Sequence, residues 1–251
     1  MDKPFLLEVY IDSVESALAA QAGGAGRVEL CDNLMEGGTT PSLGMIRAVR
    51  QRLHIPVNVI IRPRGGDFCY TDLEFEVICA DIAIAKETGI HGIVIGILTP
   101  AGKVDRERIA QLIALARPLS VTFHKAFDMT ANPYEALEDL IDLGVDRVLT
   151  SGQEATVIEG MDLITGLFKR AGERITIMPG GGITSRNINK VLELTGAREL
   201  HAGGMVTTDG PMTFRNPRCF MGGAFHPPEY SRKMVDSERI AALFQAAGKR
   251  V

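Results

Sequence analysis

A short β-branched apolar run, a polar or glycine-rich break and then a helical pattern recur eight times along this chain. The apolar runs fall at residues 5–10, 26–30, 57–62, 91–97, 119–123, 146–150, 174–178 and 198–201. Strands that alternate with helices commit a chain to a mainly parallel sheet covered by those helices. Gly23-Gly24, Gly89, Gly144 and Gly196 each stand just ahead of an apolar run, where glycine supplies the left-handed turn that closes a helix. Ser13, Thr184 and the pair Asn132-Pro133 offer capping oxygens or a first-turn proline at helix starts. Leu73, Val77, Ile78, Ile82 and Ala85 repeat at close to helical period and predict one inward face, as do Ile109, Leu112, Ile113 and Leu115, and Ala136, Leu137, Leu140 and Ile141.

Eight such units in 251 residues fit a closed barrel, and no dinucleotide-binding glycine fingerprint follows the first run as it would in an open sheet. The expected fold class is therefore α/β, a single (β/α)8 TIM barrel occupying 1–251 as one domain. The exception to its short loops is a glycine-rich stretch at about 202–230, which carries Phe214, Cys219, Phe220, Phe225 and Tyr230 and is expected to fold over something as a lid or interface. A net charge of −4 gives no basic field for nucleic acid. No apolar run approaches the ~20 residues of a membrane span. The first residues show no leader pattern, and four cysteines without a CxxC pair read as reduced thiols of a cytoplasmic protein.

Chemistry in such a barrel gathers where the strands end, and that ranks the polar residues. Glu8 and Glu29 lie inside neighbouring apolar runs, where a carboxylate must be paired, protonated or bound to a cation. Both are candidate catalytic groups; an ion pair with Arg27 or Arg62 is the structural alternative. Arg62 and Arg64, beside Gly65-Gly66, could receive a carboxylate or phosphate. His124 at the end of run five is a candidate base or ligand, with Asp128 to orient it or share a cation. Alternation turns Lys125 away from His124 and disfavours a Schiff base. Thr150 and Ser151 supply hydroxyls. Gly180, Gly181 and Gly182, with Gly203 and Gly204, occupy the place of an anion site built from backbone N–H groups, and His201 at the end of run eight is a candidate catalytic group that would hold a cation or move protons. His54, His91 and His226 read as structural, and Cys79 as a buried small hydrophobe. Cys31 and Cys69, both at the expected mouth, are candidate ligands for a soft ion such as Cu(I).

The segments Gly26-Arg27-Val28-Glu29-Leu30-Cys31, Glu36-Gly37-Gly38-Thr39-Thr40-Pro41-Ser42, Ile61-Arg62-Pro63-Arg64-Gly65-Gly66-Asp67-Phe68-Cys69-Tyr70 and Thr122-Phe123-His124-Lys125-Ala126-Phe127-Asp128 together resemble the CutC family. Leu149-Thr150-Ser151-Gly152 and Pro179-Gly180-Gly181-Gly182 extend the resemblance through nearly the whole chain. It implies a cytoplasmic TIM barrel that forms dimers or higher homo-oligomers, in a family named for copper homeostasis and copper binding. The family's copper-binding cysteines would fall here on Cys31 and on a second mouth thiol such as Cys69. Glu8-Val9-Tyr10-Ile11 stands where some relatives carry a cysteine, which removes a soft ligand. Three functions follow as expectations: copper homeostasis, with a copper ion or a divalent cation in the mouth; an isomerase or lyase acting on a small anionic or phosphorylated metabolite; or a noncatalytic metabolite-sensing scaffold.

Overall fold

The computed structural model describes residues 5–221 and 228–248. Eight parallel strands, β1 (Leu6–Ile11), β2 (Arg27–Leu30), β3 (Val57–Ile60), β4 (Gly92–Ile95), β5 (Ser120–Phe123), β6 (Arg147–Thr150), β7 (Thr176–Pro179) and β8 (Glu199–Ala202), pair in the order β7-β6-β5-β4-β3-β2-β1-β8. A parallel bridge between Gly180 and His201 joins the two ends, so the sheet closes on itself. Helices α1 (Val14–Ala22), α2 (Leu43–Arg50), α3 (Asp72–Glu87), α4 (Arg106–Ala116), α5 (Pro133–Asp142), α6 (Met161–Ala171), α7 (Ile188–Thr195) and α8 (Ser237–Gly248) alternate with them. The expected barrel is the observed one.

Local chemistry sets the boundaries. Gly24, Gly89, Gly144 and Gly196 all adopt positive φ after a helix. Ser13 and Asn132 accept from backbone N–H groups at the starts of α1 and α5. Thr71 and Glu74 form a reciprocal capping box on α3. Three readings need correction. On α3, Leu73 and Val77 are exposed, at 73% and 48%, while Ile78, Ile82 and Ala85 are buried: the true inward stripe is set one position over and recruits Phe75 and Cys79. α7 begins at Ile188, because Thr184 to Asn187 form a turn closed by the Asn187 side chain on the Thr184 N–H. The long segment is not a structureless loop: β9 (Met205–Asp209) pairs antiparallel with β10 (Ser231–Val235) as a two-stranded arm. Within it Phe214 is 75% and Met221 86% exposed, so among the described residues these two side chains are not packed into the barrel. Phe225 and His226 lie outside the described residues.

The barrel interior is polar at its amino-terminal end. Arg27 bridges Glu8 (Nε to Oε2, 2.5 Å) and Glu199 (Nη2 to Oε2, 2.5 Å), and Arg147 donates from Nε to Glu199 at 2.9 Å and from Nη1 to the Ser120 hydroxyl at 2.6 Å. These side chains plug the floor in place of the usual aliphatic layers. Strand alternation places the next inward residues one layer higher, at the carboxyl-end mouth.

Candidate active site at the barrel mouth

A cavity of about 600 Å³ opens at the carboxyl ends of the strands, with Tyr10, Glu29, Cys31, Arg62, His124, Lys125 and His201 on its walls. At its floor stands a carboxylate–imidazole–carboxylate row. His201 contacts Glu8 Oε1 through Nδ1 at 2.9 Å and faces Glu29 Oε2 through Nε2 at 3.5 Å. Tyr10 stacks on the imidazole with ring centroids 5.4 Å apart, and the stack exists because position 203 is glycine: a Cβ there would lie 2.4 Å from the Tyr10 hydroxyl.

The environments of the two carboxylates push them apart. Burial alone would raise Glu8, but the Arg27 guanidinium beside it and the His201 hydrogen bond outweigh burial and hold it down at about 2. Asn58 Nδ2 also donates to it, at 3.2 Å. Burial pushes Glu29 up to about 7, with the Glu8 charge adding and His201 opposing. Burial works against the imidazolium of His201, yet the Glu8 hydrogen bond and the Glu29 charge raise its affinity for a proton. Glu29 and His201 therefore both hold protons more tightly than free side chains, while Glu8 stays an anion that fixes the ring.

Glu8, Glu29 and His201 are also the one group of three His, Cys, Asp or Glu side chains, among the described residues, whose ligand atoms lie within 4.8 Å of one another. The donors suit a divalent cation in kind. Glu8, however, already answers Arg27, Asn58 and His201, so a cation there would have to compete with a fixed guanidinium. The chemistry this row fits better is proton transfer.

On the opposite wall, His124 accepts the Ala126 N–H at Nδ1 (3.1 Å), so its ring proton sits on Nε2. Burial, and then the Arg62 charge, hold it neutral, with its affinity for a second proton lowered to about 3. Arg62 donates Nη1 to the carbonyls of Glu36 and Gly38, both at 2.7 Å, and Nη2 to that of Gly66 at 3.0 Å.

Asp128 does not touch His124 as expected from the sequence. Its carboxylate accepts from the Thr150 hydroxyl, the Ser151 and Gln153 N–H groups and the Ser151 hydroxyl, and pairs with Lys125 at 3.0 Å. The cause is a 3₁₀ turn over Lys125–Met129 directly after His124, which ends strand alternation and swings Lys125 into the cavity. Lys125 is the pocket residue that strand alternation hides. Thr150 and Ser151 are buried and committed to Asp128, and line neither mouth cavity. Arg64 pairs with Glu74 at 2.5 Å and lies over the Tyr70 ring, outside the cavity wall.

A second cavity of about 550 Å³ adjoins the first through Tyr10, Gly181 and His201, and is walled by Gly181, Gly182, Gly203, Gly204, Arg186 and Arg239. Gly180 lies behind it, where a Cβ would stand 2.5 Å from Leu149. Of the two thiols, Cys31 lines the main cavity with its sulfur toward the Glu29 carbonyl at 3.9 Å. Burial, and then the Glu29 charge, hold it far toward the neutral thiol. Cys69 lies off the cavity wall in the Arg64 loop, with Asp67, Arg64 and Asp105 as its charged neighbours.

A family model described as the CutC family matches residues 5–206. The chain belongs to the CutC family. Copper homeostasis protein cutC homologs of Mus musculus and Homo sapiens are each 52% identical to it over 239 residues, 95% of this chain and 88% of theirs. The CutC structure from Streptococcus agalactiae superposes on this CutC-family barrel with a TM-score of 0.75 at 38% identity, over 78% of this chain and 97% of that one. Phosphoribosylanthranilate isomerase from Thermotoga maritima gives 0.57 at 12% identity over 97% of this chain and 98% of its own, a likeness of fold.

Proposed function

We propose that this CutC-family protein serves copper homeostasis, the role in its relatives' names, through acid–base chemistry on a small anionic metabolite at the barrel mouth. The observation that carries this reading is the Glu8–His201–Glu29 row, one carboxylate held at about 2 and the other at about 7 across a single imidazole. Glu29 and His201 exchange a proton with the ligand, Glu8 orients the ring, and Arg62 and Lys125 balance ligand charge. Backbone N–H groups of Gly181, Gly182, Gly203 and Gly204 would receive a phosphate in the adjoining cavity. Isomerase or lyase chemistry suits this layout. Free cysteines among the described residues fit a reducing compartment, the cytoplasm. The exposed Met212, Phe214, Phe220 and Met221 on the arm fit a homodimer or larger assembly.

The test is deuterium uptake from D2O into a panel of small phosphorylated and carboxylated hydroxy-aldehydes and ketones. The wild type should label at least one, and Glu29→Gln and His201→Asn should lose at least 100-fold of that rate, the scale of general acid–base catalysis. No labelling of any compound, or labelling indifferent to both substitutions, would end the acid–base reading.

A second reading, direct copper binding, rests on the Cys31 sulfur in the same cavity as His201. Anaerobic Cu(I) titration of wild type, Cys31→Ser and Cys69→Ser decides it. Stoichiometric binding lost with Cys31 would carry copper to the pocket; binding unchanged by either substitution would remove the thiols from the account.

A further inference from the structure

We propose that Arg62 and His124 form a carboxylate seat in the cavity they share with Glu29 and His201, so that the ligand of this pocket is a small carboxylic acid whose exchangeable proton faces the Glu29–His201 pair. Two unspent donors carry the argument. Arg62 and His124 are each 5% exposed, and among the described residues Arg62 Nε and His124 Nε2 are buried with no hydrogen-bond partner. Both are N–H donors: the guanidinium always is, and the imidazole is made so by the Ala126 N–H occupying Nδ1. Buried donors normally find acceptors; the Tyr70 hydroxyl, the third such atom, lies beside Arg62, whereas His124 Nε2 has no acceptor among the described residues, and since both Arg62 and His124 line the cavity the missing acceptor is one that arrives with the ligand.

The wall is built to hold them. Arg62 is pinned by its three carbonyl bonds, which leave the Nε hydrogen and one Nη2 hydrogen of its five to spend. The imidazole occupies the space over Gly96, where a Cβ would lie 2.3 Å from its Cε1 and 2.5 Å from its Nδ1. Phe68 touches both groups, its ring 5.1 Å from the His124 ring and 5.2 Å from Arg62 Cζ, and itself lines the cavity. Turning that ring aside opens the two donors to a ligand.

The pattern selects a carboxylate over a phosphate. One full positive charge and one neutral N–H match a planar, singly charged, two-oxygen group. A phosphate asks for more donors, and the glycine loops of the adjoining cavity are the place that offers them. Lys125 lines the same cavity and, beyond its bonds to Ser151 and Asp128, has a third N–H to meet a second ligand oxygen.

This seat rests on the acid–base reading above, and its test separates the two. The full chain, labelled with ¹⁵N at histidine and arginine side chains, is titrated with acetate, glycolate and malonate, and in parallel with inorganic phosphate. Expected are saturable downfield shifts of the His124 Nε2–H and Arg62 Nε–H signals with at least one carboxylate and none with phosphate, and at least tenfold weaker binding in His124→Gln. The wild-type spectra need no variant to fold, and Arg62→Lys gives a second check. Absence of saturable shifts with every carboxylate, equal shifts with phosphate, or unchanged affinity in His124→Gln and Arg62→Lys would overturn the seat. Carboxylate binding without any deuterium uptake would leave the seat standing and sink the acid–base reading; uptake that survives both substitutions would do the reverse.

Discussion

Glu8 and Glu29 are the same residue type one strand apart, and their surroundings give them opposite tasks. Glu8 is tied to Arg27, Asn58 and His201, so removing one partner strands a buried charge. Arg27→Met should cost about 3–5 kcal/mol in urea unfolding; a loss under 1 kcal/mol would mean the floor network is not what fixes Glu8. For Glu29 the sign follows from its raised value. The folded chain holds the proton up to about 7 while the unfolded chain gives it up near 4.5, so Glu29 stabilises the fold below 4.5 and loses that contribution as pH rises through 7. Glu29→Gln should therefore gain stability over wild type as pH rises from 4.5 to 8, by roughly 3 kcal/mol at the upper end. His124, which pulls stability the other way in acid because burial keeps it neutral, is common to both proteins and cancels in the comparison. A stability difference that does not change with pH would contradict the shifted carboxyl. At this scale the sequence shows which residues matter, since charged groups inside apolar strands stand out. It does not show their partners: Asp128 serves the β6 loop and Lys125 enters the pocket because one 3₁₀ turn breaks the strand's alternation.

At the scale of elements, the βα period, the closing glycines and the caps at Ser13 and Asn132 are all legible because each is a local rule. The stripe on α3 misleads, since Leu73 and Val77 satisfy helical spacing yet face solvent, and only packing against α4 and the barrel decides between adjacent stripes. The arm of β9 and β10 is hidden for another reason: its strands are 21 residues apart and one of them, Met205–Asp209, is largely polar. Close approaches between strands are equally silent in one sequence. Gly96 on the β4 side leaves the His124 ring its space, so Gly96→Ala should displace the ring and cost about 1–3 kcal/mol in thermal or urea unfolding, with the His124 ring signals moved in the ¹⁵N spectrum. Unmoved signals would show that the ring does not depend on that gap.

Across the whole molecule, a barrel floored by ion pairs and open at its carboxyl end explains why the functional groups of a chain with ordinary composition meet in one place. Parallel pairing of β8 with β1, in a register that puts His201 beside Glu8, sets the two side chains together from 193 residues apart in the chain, and the Gly180–His201 bridge closes the ring on the β7 side. No helix among the described residues is long and apolar enough to cross a membrane. The central claim, a Glu29–His201 pair of raised proton affinity beside an anionic Glu8, is tested most directly by ¹⁵N-histidine NMR from pH 4 to 9 on wild type and Glu29→Gln, with His201 assigned through His201→Asn. The account predicts that His201 keeps a proton on Nδ1 toward Glu8 throughout, that its Nε2 titrates above an ordinary histidine, and that Glu29→Gln lowers that midpoint. A His201 that titrates like a free imidazole, unmoved by Glu29→Gln, would contradict it.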